Sequence, residues 1–294
     1  MSGWSSEIDS FLSTIYQFSG ENLRRAVDFL LNLPPPVSFF IVSAITTFFA
    51  LAGLYVVRKK YSADVLKENH EVAAIIFNAF GLFYGVLLAF VVFVTWSGYD
   101  EATKNLQLEA NEVADIFHLT QVFPDPSGEK IRQTLLAYVT SVYDDELKRM
   151  AQGEISLHSN QAMINLISEF YQLDEKAVPN REIYAEALKR FNNLAEYRRL
   201  RIFAGNDTVP PVIWLVLLVG SVISISYTYF FGMKNIRAQY LIAASLTVTI
   251  TMILFLIYVL DHPFTGTSRV SAEPLKQVMG ILQNDQHTQS SSIP

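Results

Sequence analysis

The sequence contains no cysteine and few charged residues, and it lacks charge altogether over four long blocks. Without cysteine the chain cannot form disulfides, thiolate metal sites or a cysteine nucleophile. Asp, Glu, Lys and Arg make up 17% of its residues, against about 25% in a typical soluble domain. The net charge of −6 comes without a concentrated basic tract, so nothing indicates a nucleic-acid partner. These shortages favour a membrane protein.

The uncharged blocks have the length of membrane spans. They comprise residues 37–57, 72–99, 208–233 and 238–260, and each has at least 21 residues. A helix needs about 20 residues to cross the hydrocarbon core, and a spanning segment must satisfy its backbone hydrogen bonds internally. The sequence therefore predicts an all-α membrane protein with four transmembrane helices and a helical polar domain between spans two and three.

The spans divide the chain into five segments. An amphipathic N-terminal segment, 1–36, precedes spans one and two at 37–99. The helical polar domain takes 100–209, spans three and four take 210–260, and a polar C-terminal tail takes 261–294, disordered from 283 onward. An even number of crossings places both termini and the polar domain on one side of the membrane.

Four helices are predicted in the polar domain. Span two continues without a break through 100–122, because that stretch contains no Gly or Pro and keeps a helical rhythm of apolar residues. The Pro- and Gly-rich turn at 124–128 ends it. Further helices are predicted at 129–151, 161–173 and 179–203.

Motifs for catalysis are missing. The sequence has no Gly-rich phosphate loop, no Gly-x-Ser-x-Gly and no His-Glu-x-x-His, and its five histidines are scattered. Two acidic groups, 109–115 and 144–146, offer oxygen ligands for a hard cation, but a solvated helix face is the favoured interpretation. We therefore expect no enzymatic activity, no catalytic residue, no cofactor and no metal site.

Span two carries two neighbouring stripes at helical spacing. Small or amide residues, which let helices approach closely in lipid, form the first stripe: Asn78, Gly81, Gly85 and Ala89. Apolar residues four apart form the second: Leu82, Val86 and Phe90. In a ring of subunits this apolar ridge would line a pore neck that gates by dewetting. The alternative is that the ridge packs against another helix of the same subunit.

Polar and aromatic residues flank this ridge. The candidates for the pore mouth or a subunit interface are Asn78, Tyr84, Thr95 and Trp96. An arginine cluster precedes span three, at Arg190, Arg198, Arg199 and Arg201. These arginines either anchor lipid head groups or attract anions to a pore mouth. Apart from flanking residues, the spans contain no ionisable side chain, which argues against a coupled transporter.

Several stretches resemble one family of membrane proteins. They are YDEA at 99–102 after span two, EAN at 109–111, RRLR at 198–201, PVIWLVLLVG at 211–220 and LDHPFTG at 260–266. In these motifs the chain resembles the bestrophin-like domain proteins of bacteria and plants (DUF4239) over about residues 54–282. The resemblance to the bestrophins is more distant.

The bestrophin resemblance implies a function. Bestrophins are pentameric anion channels with four spans per subunit, a cytosolic helical region between spans two and three, and a neck lined by span two. By that likeness the chain forms a homo-pentamer in the cell (inner) membrane, its partners are itself, the bilayer and inorganic anions, and its termini and polar domain are cytoplasmic. Lys and Arg do not settle the orientation, with six in the short loops and seven on the other side within about 15 residues of the spans.

Two departures from bestrophins limit the resemblance. Trp96 has no arginine beside it, and the acidic run that follows span four in calcium-activated members is missing. Calcium gating of that kind is therefore not expected. The alternative to a channel is a non-conducting scaffold or sensor that binds a partner through its cytoplasmic helical domain.

Overall fold

The computed structural model describes residues 33–62, 70–173, 178, 180–231, 233 and 235–291. Within these ranges the regular structure is helical and contains no strand. The α-helices are α1 Pro35–Lys60, α2 His70–Thr120, α3 Ser127–Ser141, α4 Leu147–Met150, α5 Leu157–Gln172, α6 Arg181–Asn206, α7 Pro211–Tyr227, α8 Ile236–Leu260 and α9 Glu273–Ser291. The predicted all-α class is confirmed. Residues 1–32 of the predicted amphipathic segment lie outside the described ranges.

Four helical stretches are long and apolar enough to cross a membrane, as predicted. They are Pro35–Lys60, Ala74–Thr120, Arg181–Phe230 and Ile236–Leu260. Helix α2 runs unbroken for 51 residues, or roughly 77 Å at 1.5 Å per residue. The hydrocarbon core is only about 30 Å thick, so α2 contains both span two and the first helix of the polar domain.

Helix ends follow their local sequence. Prolines occupy the first turns of α1 and α7, where the missing N–H costs no hydrogen bond. Ser156 and Asn180 cap α5 and α6 by accepting hydrogen bonds from backbone N–H groups. Arg58 and the two lysines after it close α1.

The described residues divide into two compact units. The first contains the described residues up to Gly85, together with those of Leu217–Phe255 and Gly266–Ser268. The second contains the described residues of Val86–Val216 and Leu256–Thr265 and those from Arg269 onward. Each unit is described by itself below.

Polar contacts join the spans in the first unit. The hydroxyls of Thr46 and Thr251 lie 3.0 Å apart, and the Tyr229 hydroxyl donates to the carbonyl oxygen of Ala50 at 2.7 Å. Gly53 faces the Tyr229 ring so closely that a side chain there would collide with it. Small residues and hydroxyls of this kind are the usual means of helix association where the surroundings are as apolar as the side chains.

The second unit has a dense apolar core. Residues of α2, α3, α5 and α6 fill it, among them Leu106, Ile116, Leu135 and Leu194, which are all fully buried. Between α3 and α4 the chain makes a π-helical turn, Val142–Glu146, inside the stretch predicted as one regular helix. The turn carries Glu146 into the core, where the residue is 2% exposed.

The C-terminal segment differs from its prediction. Residues 273–291 form helix α9, so the expectation of disorder from residue 283 fails as far as Ser291. Leu275, Val278 and Leu282 of this helix are buried in the core of the second unit, and the Thr140 hydroxyl donates to the Met279 sulfur at 3.8 Å. The first part of the predicted polar tail is therefore a core element.

Candidate functional site

The apolar ridge of span two is uncovered. Leu82, Val86 and Phe90 are 67%, 62% and 65% exposed. None of the three side chains is therefore buried against another of the described helices. Successive members lie about 6 Å apart along the axis and 40° around it, so the ridge stays on one face of α2.

The small-residue stripe beside the ridge is also open. Apart from the neighbouring residues of α2 itself, no described atom lies within 4 Å of a side-chain carbon built on Gly81 or on Gly85, and Asn78 and Ala89 are exposed. Close approach at this stripe is thus not used for packing inside the subunit. Trp96 is 58% exposed one turn before the end of the uncharged block.

Tyr84 and Thr95 face the opposite side of α2. Tyr84 is buried, and its hydroxyl donates to the carbonyl oxygen of Leu217 at 2.7 Å. Its ring lies against Gly220, where an added Cβ would overlap it. Thr95 is 5% exposed, and its hydroxyl donates to the carbonyl oxygen of Val91 at 3.0 Å. The prediction that these two residues belong to a pore mouth or subunit interface fails, because their polar atoms bond within the chain.

Arg201 is the most buried member of the arginine cluster. It is fully buried, with its Nε 2.5 Å from Glu109 and its Nη2 2.6 Å from Glu146. The Tyr138 hydroxyl donates to the other oxygen of Glu109 at 2.5 Å. A guanidinium held by two carboxylates in an apolar core contacts neither lipid nor a permeating anion. The predicted lipid-anchoring or anion-attracting role is wrong for Arg201.

Arg198 is bound in the same network. It is 9% exposed, and its Nη2 donates to Glu146 at 2.5 Å and to the amide oxygen of Asn160 at 2.7 Å. The predicted lipid-anchoring or anion-attracting role is therefore wrong for Arg198 as well, because its guanidinium is also buried and bound to a carboxylate. From the sequence alone, arginines are expected at the surface. The burial of Arg198 and Arg201 could not be predicted, because their carboxylate partners lie 52 to 92 positions away along the chain.

The remaining two arginines are more accessible. Arg190 is half-buried and pairs with Glu186 at 2.8 Å, Asp115 at 2.9 Å and Glu112 at 3.4 Å. Three carboxylates around one guanidinium leave no net positive charge there. Arg199 is exposed, and lipid anchoring or anion attraction remains a prediction for this residue.

The network pairs two guanidiniums with two carboxylates, and the pKa values of Glu146 and Arg201 shift in favour of their charged forms. Burial disfavours the charged form of Glu146, but the guanidiniums of Arg201 and Arg198 outweigh it and lower the pKa of this carboxyl. Burial also opposes the charge on Arg201, yet Glu109 and Glu146 raise its pKa above the usual value. Burial, reinforced by Glu109, raises the pKa of Tyr138, so the phenol keeps its proton and donates a hydrogen bond to Glu109.

Each of the two predicted acidic groups contains a buried glutamate. The predicted solvated helix face is wrong for Glu109 and Glu146, which are 0% and 2% exposed. A signal was present in the spacing, because Glu109 shares a helical face with the apolar Leu106 and Val113. In the described part of the chain, no group of three His, Asp or Glu side chains is placed to hold a metal ion.

Comparisons with known proteins point to one fold. The model of the Bestrophin-like domain family matches residues 44–275. A crystal structure of a variant of a bacterial bestrophin homologue from Klebsiella pneumoniae matches with a TM-score of 0.65 at 13% identity, covering 83% of this chain and 99% of that one. A second structure of that homologue, phased with zinc, gives 0.64 at 12% identity over 83% and 97%. Among curated proteins no match is found.

Proposed function

Because the chain belongs to the bestrophin-like domain family, we propose that it forms a homo-oligomeric ion channel with a central pore lined by span two. A ring of subunits, most simply a pentamer, supplies the central axis that one bundle of four spans lacks. The proposed neck consists of Leu82, Val86 and Phe90, and conduction is passive. Both termini and the polar domain are assigned to the cytoplasm.

The uncovered ridge of α2 carries this proposal. Three large apolar side chains in line are about two-thirds exposed in the single chain, and the open glycines beside them permit a second helix to approach. Facing inward from several subunits, the ridge would make a collar in which water is unstable and which opens by wetting. Asn78 and Trp96, on the same exposed side, are assigned to the mouth or the subunit interface.

Anion conduction is the finer part of the proposal. It rests on the resemblance to bestrophins and on Arg199, since the other arginines of the cluster are neutralised by carboxylates. A chloride gradient across liposomes containing the pure protein tests it directly. We expect a chloride flux that falls when Arg199 is replaced by Gln. A flux carried by sodium or potassium, unchanged in Arg199→Gln, would reassign the selectivity to cations.

The scaffold alternative has one observation in its favour. Leu157, Ile164 and Tyr171 of α5 are 80%, 55% and 75% exposed, and their seven-residue spacing places them on one face of the helix. Such a stripe is typical of a helix that docks onto another protein. Purified protein that is oligomeric yet passes no ion in any salt would favour the scaffold over the channel.

A further inference from the structure

The second unit contains a cavity of about 710 Å³ beside the exit of span two, within the usual range of about 300–1,000 Å³ for small-ligand sites. Its wall is mainly apolar and includes Leu87, Val91, Val94 and Ile213. The cavity therefore has the volume and the surface to hold a hydrocarbon chain.

Acidic side chains also line this cavity. Glu101 and Asp207 line it and are exposed. Asp261 also lines it, but its oxygens accept hydrogen bonds from the Val209 N–H at 2.7 Å and from Trp214 Nε1 at 3.4 Å. Asp261 thus fixes the loop before α7, while Glu101 and Asp207 remain available to a ligand.

The charged residues that line the cavity are all acidic. None of the described residues that line the cavity is Lys, Arg or His. The ring of Phe203 also borders it, and an aromatic face attracts a cation electrostatically. An anionic amphiphile would meet two carboxylates and no counter-charge, whereas a cationic one would meet both carboxylates and an aromatic ring.

We propose that this cavity binds a single-chain amphiphilic ammonium, with its hydrocarbon chain along the apolar wall and its cationic head beside Glu101, Asp207 and Phe203. Phe90 borders the same cavity and belongs to the proposed neck. The bound amphiphile therefore lies against a neck residue and reduces ion flux. The binding is independent of the proposed function, and only the effect on flux rests on it.

Thermal unfolding of the full-length protein in a maltoside detergent tests the binding, because a ligand that binds only the folded state raises the unfolding midpoint. The probe is dodecyltrimethylammonium, and dodecanoate and dodecanol are the comparators with the same chain. We expect the ammonium alone to raise the midpoint, less so at high salt. Equal shifts with all three amphiphiles, or no shift with the ammonium, would overturn the proposal.

Two variants locate the site. The double variant Glu101→Gln with Asp207→Asn should weaken binding by about tenfold, or about 1.4 kcal/mol. Gly98→Phe should abolish it, because Gly98 lines the cavity and has open space around its Cβ position. Binding that survives Gly98→Phe in a folded protein would contradict the assignment.

A charge-matched control accompanies them. Asp144 and Glu196 are exposed and do not line this cavity, so Asp144→Asn with Glu196→Gln removes the same charge without touching the site. This control should bind like the parent, and a tenfold loss in it would show that the effect is one of net charge. If the ammonium binds at the cavity without any change in liposome flux, the proposed neck is contradicted. The assignment of the binding site to the cavity then still holds.

Discussion

The first unit, here called the membrane unit, and the second unit, here called the polar unit, are each held together by different means. The spans meet through glycines, threonines and single hydroxyl-to-carbonyl bonds such as that of Tyr84 to Leu217, and they leave large apolar side chains exposed. The polar unit buries its apolar residues and places two arginines and two glutamates among them. Lipid removes the hydrophobic drive between spans, whereas water supplies it to the polar unit.

We expect the largest loss of stability from a substitution in the buried network of Arg198, Arg201, Glu109 and Glu146. Arg201→Met leaves Glu109 without its guanidinium in a fully buried position. Removing one partner of a buried pair costs about 3–5 kcal/mol, a large part of the stability of a typical domain. We expect poor expression or a strongly lowered unfolding midpoint. The control is Arg199→Met, at an exposed site, where the expected change is within about 0.5 kcal/mol.

A pair of glycine substitutions contrasts inward and outward faces of the membrane unit. Gly220→Leu forces a side chain into the ring of Tyr84, and such overpacking costs about 1–3 kcal/mol. Gly85→Leu meets open space, so the subunit should keep its fold. If the stripe is a subunit interface, Gly85→Leu should instead lower the mass of the assembly measured in mild detergent. An unfolded Gly85→Leu subunit would contradict this assignment.

Acid should weaken the polar unit through Glu146. Its pKa in the folded protein is lowered, so its contribution to stability is fully present above the unfolded value of about 4.3. It is lost as the pH falls through the lowered value. Unfolding midpoints measured from pH 6 downward should show this loss, and Glu146→Gln should flatten that part of the profile. The same acid dependence in Glu146→Gln would exclude the residue as its source.

The smallest effect is expected at Tyr84. Tyr84→Phe removes the hydrogen bond to Leu217 and keeps the ring that packs on Gly220. Hydrogen bonds between spans average about 0.6 kcal/mol, so the unfolding midpoint should fall slightly and oligomer mass should not change. A loss of the oligomer would show that Tyr84 acts at an interface after all.

The predictability of the two units from the sequence also differs. The spans and the unbroken α2 follow from blocks without charge and from the absence of Gly and Pro over 100–120. The role of Arg201 does not follow, because its environment depends on Glu109 and Glu146 from distant helices. Helix α9 does have a sequence signal, because Leu275, Val278, Met279 and Leu282 recur with helical spacing in an otherwise polar tail.

The neck residues are intermediate in how far the sequence predicts their environment. Their four-residue spacing is visible in the sequence, but only the structure shows that these side chains are exposed among the described helices. Composition could not choose between an inward-facing and a packed ridge, because both use large apolar side chains. The exposed fraction of each side chain favours the inward-facing ridge.

Ion flux from liposomes containing a triple variant tests the neck most directly. Leu82→Ala, Val86→Ala and Phe90→Ala together should widen the apolar collar and raise the flux above that of the parent. The matched control replaces Ile45, Phe48 and Phe49 of α1 with alanine as well. These side chains are 51%, 68% and 68% exposed, and their loss should leave the flux unchanged. A folded, oligomeric α2 triple variant whose flux equals that of the parent and of the α1 control would contradict a pore lined by Leu82, Val86 and Phe90.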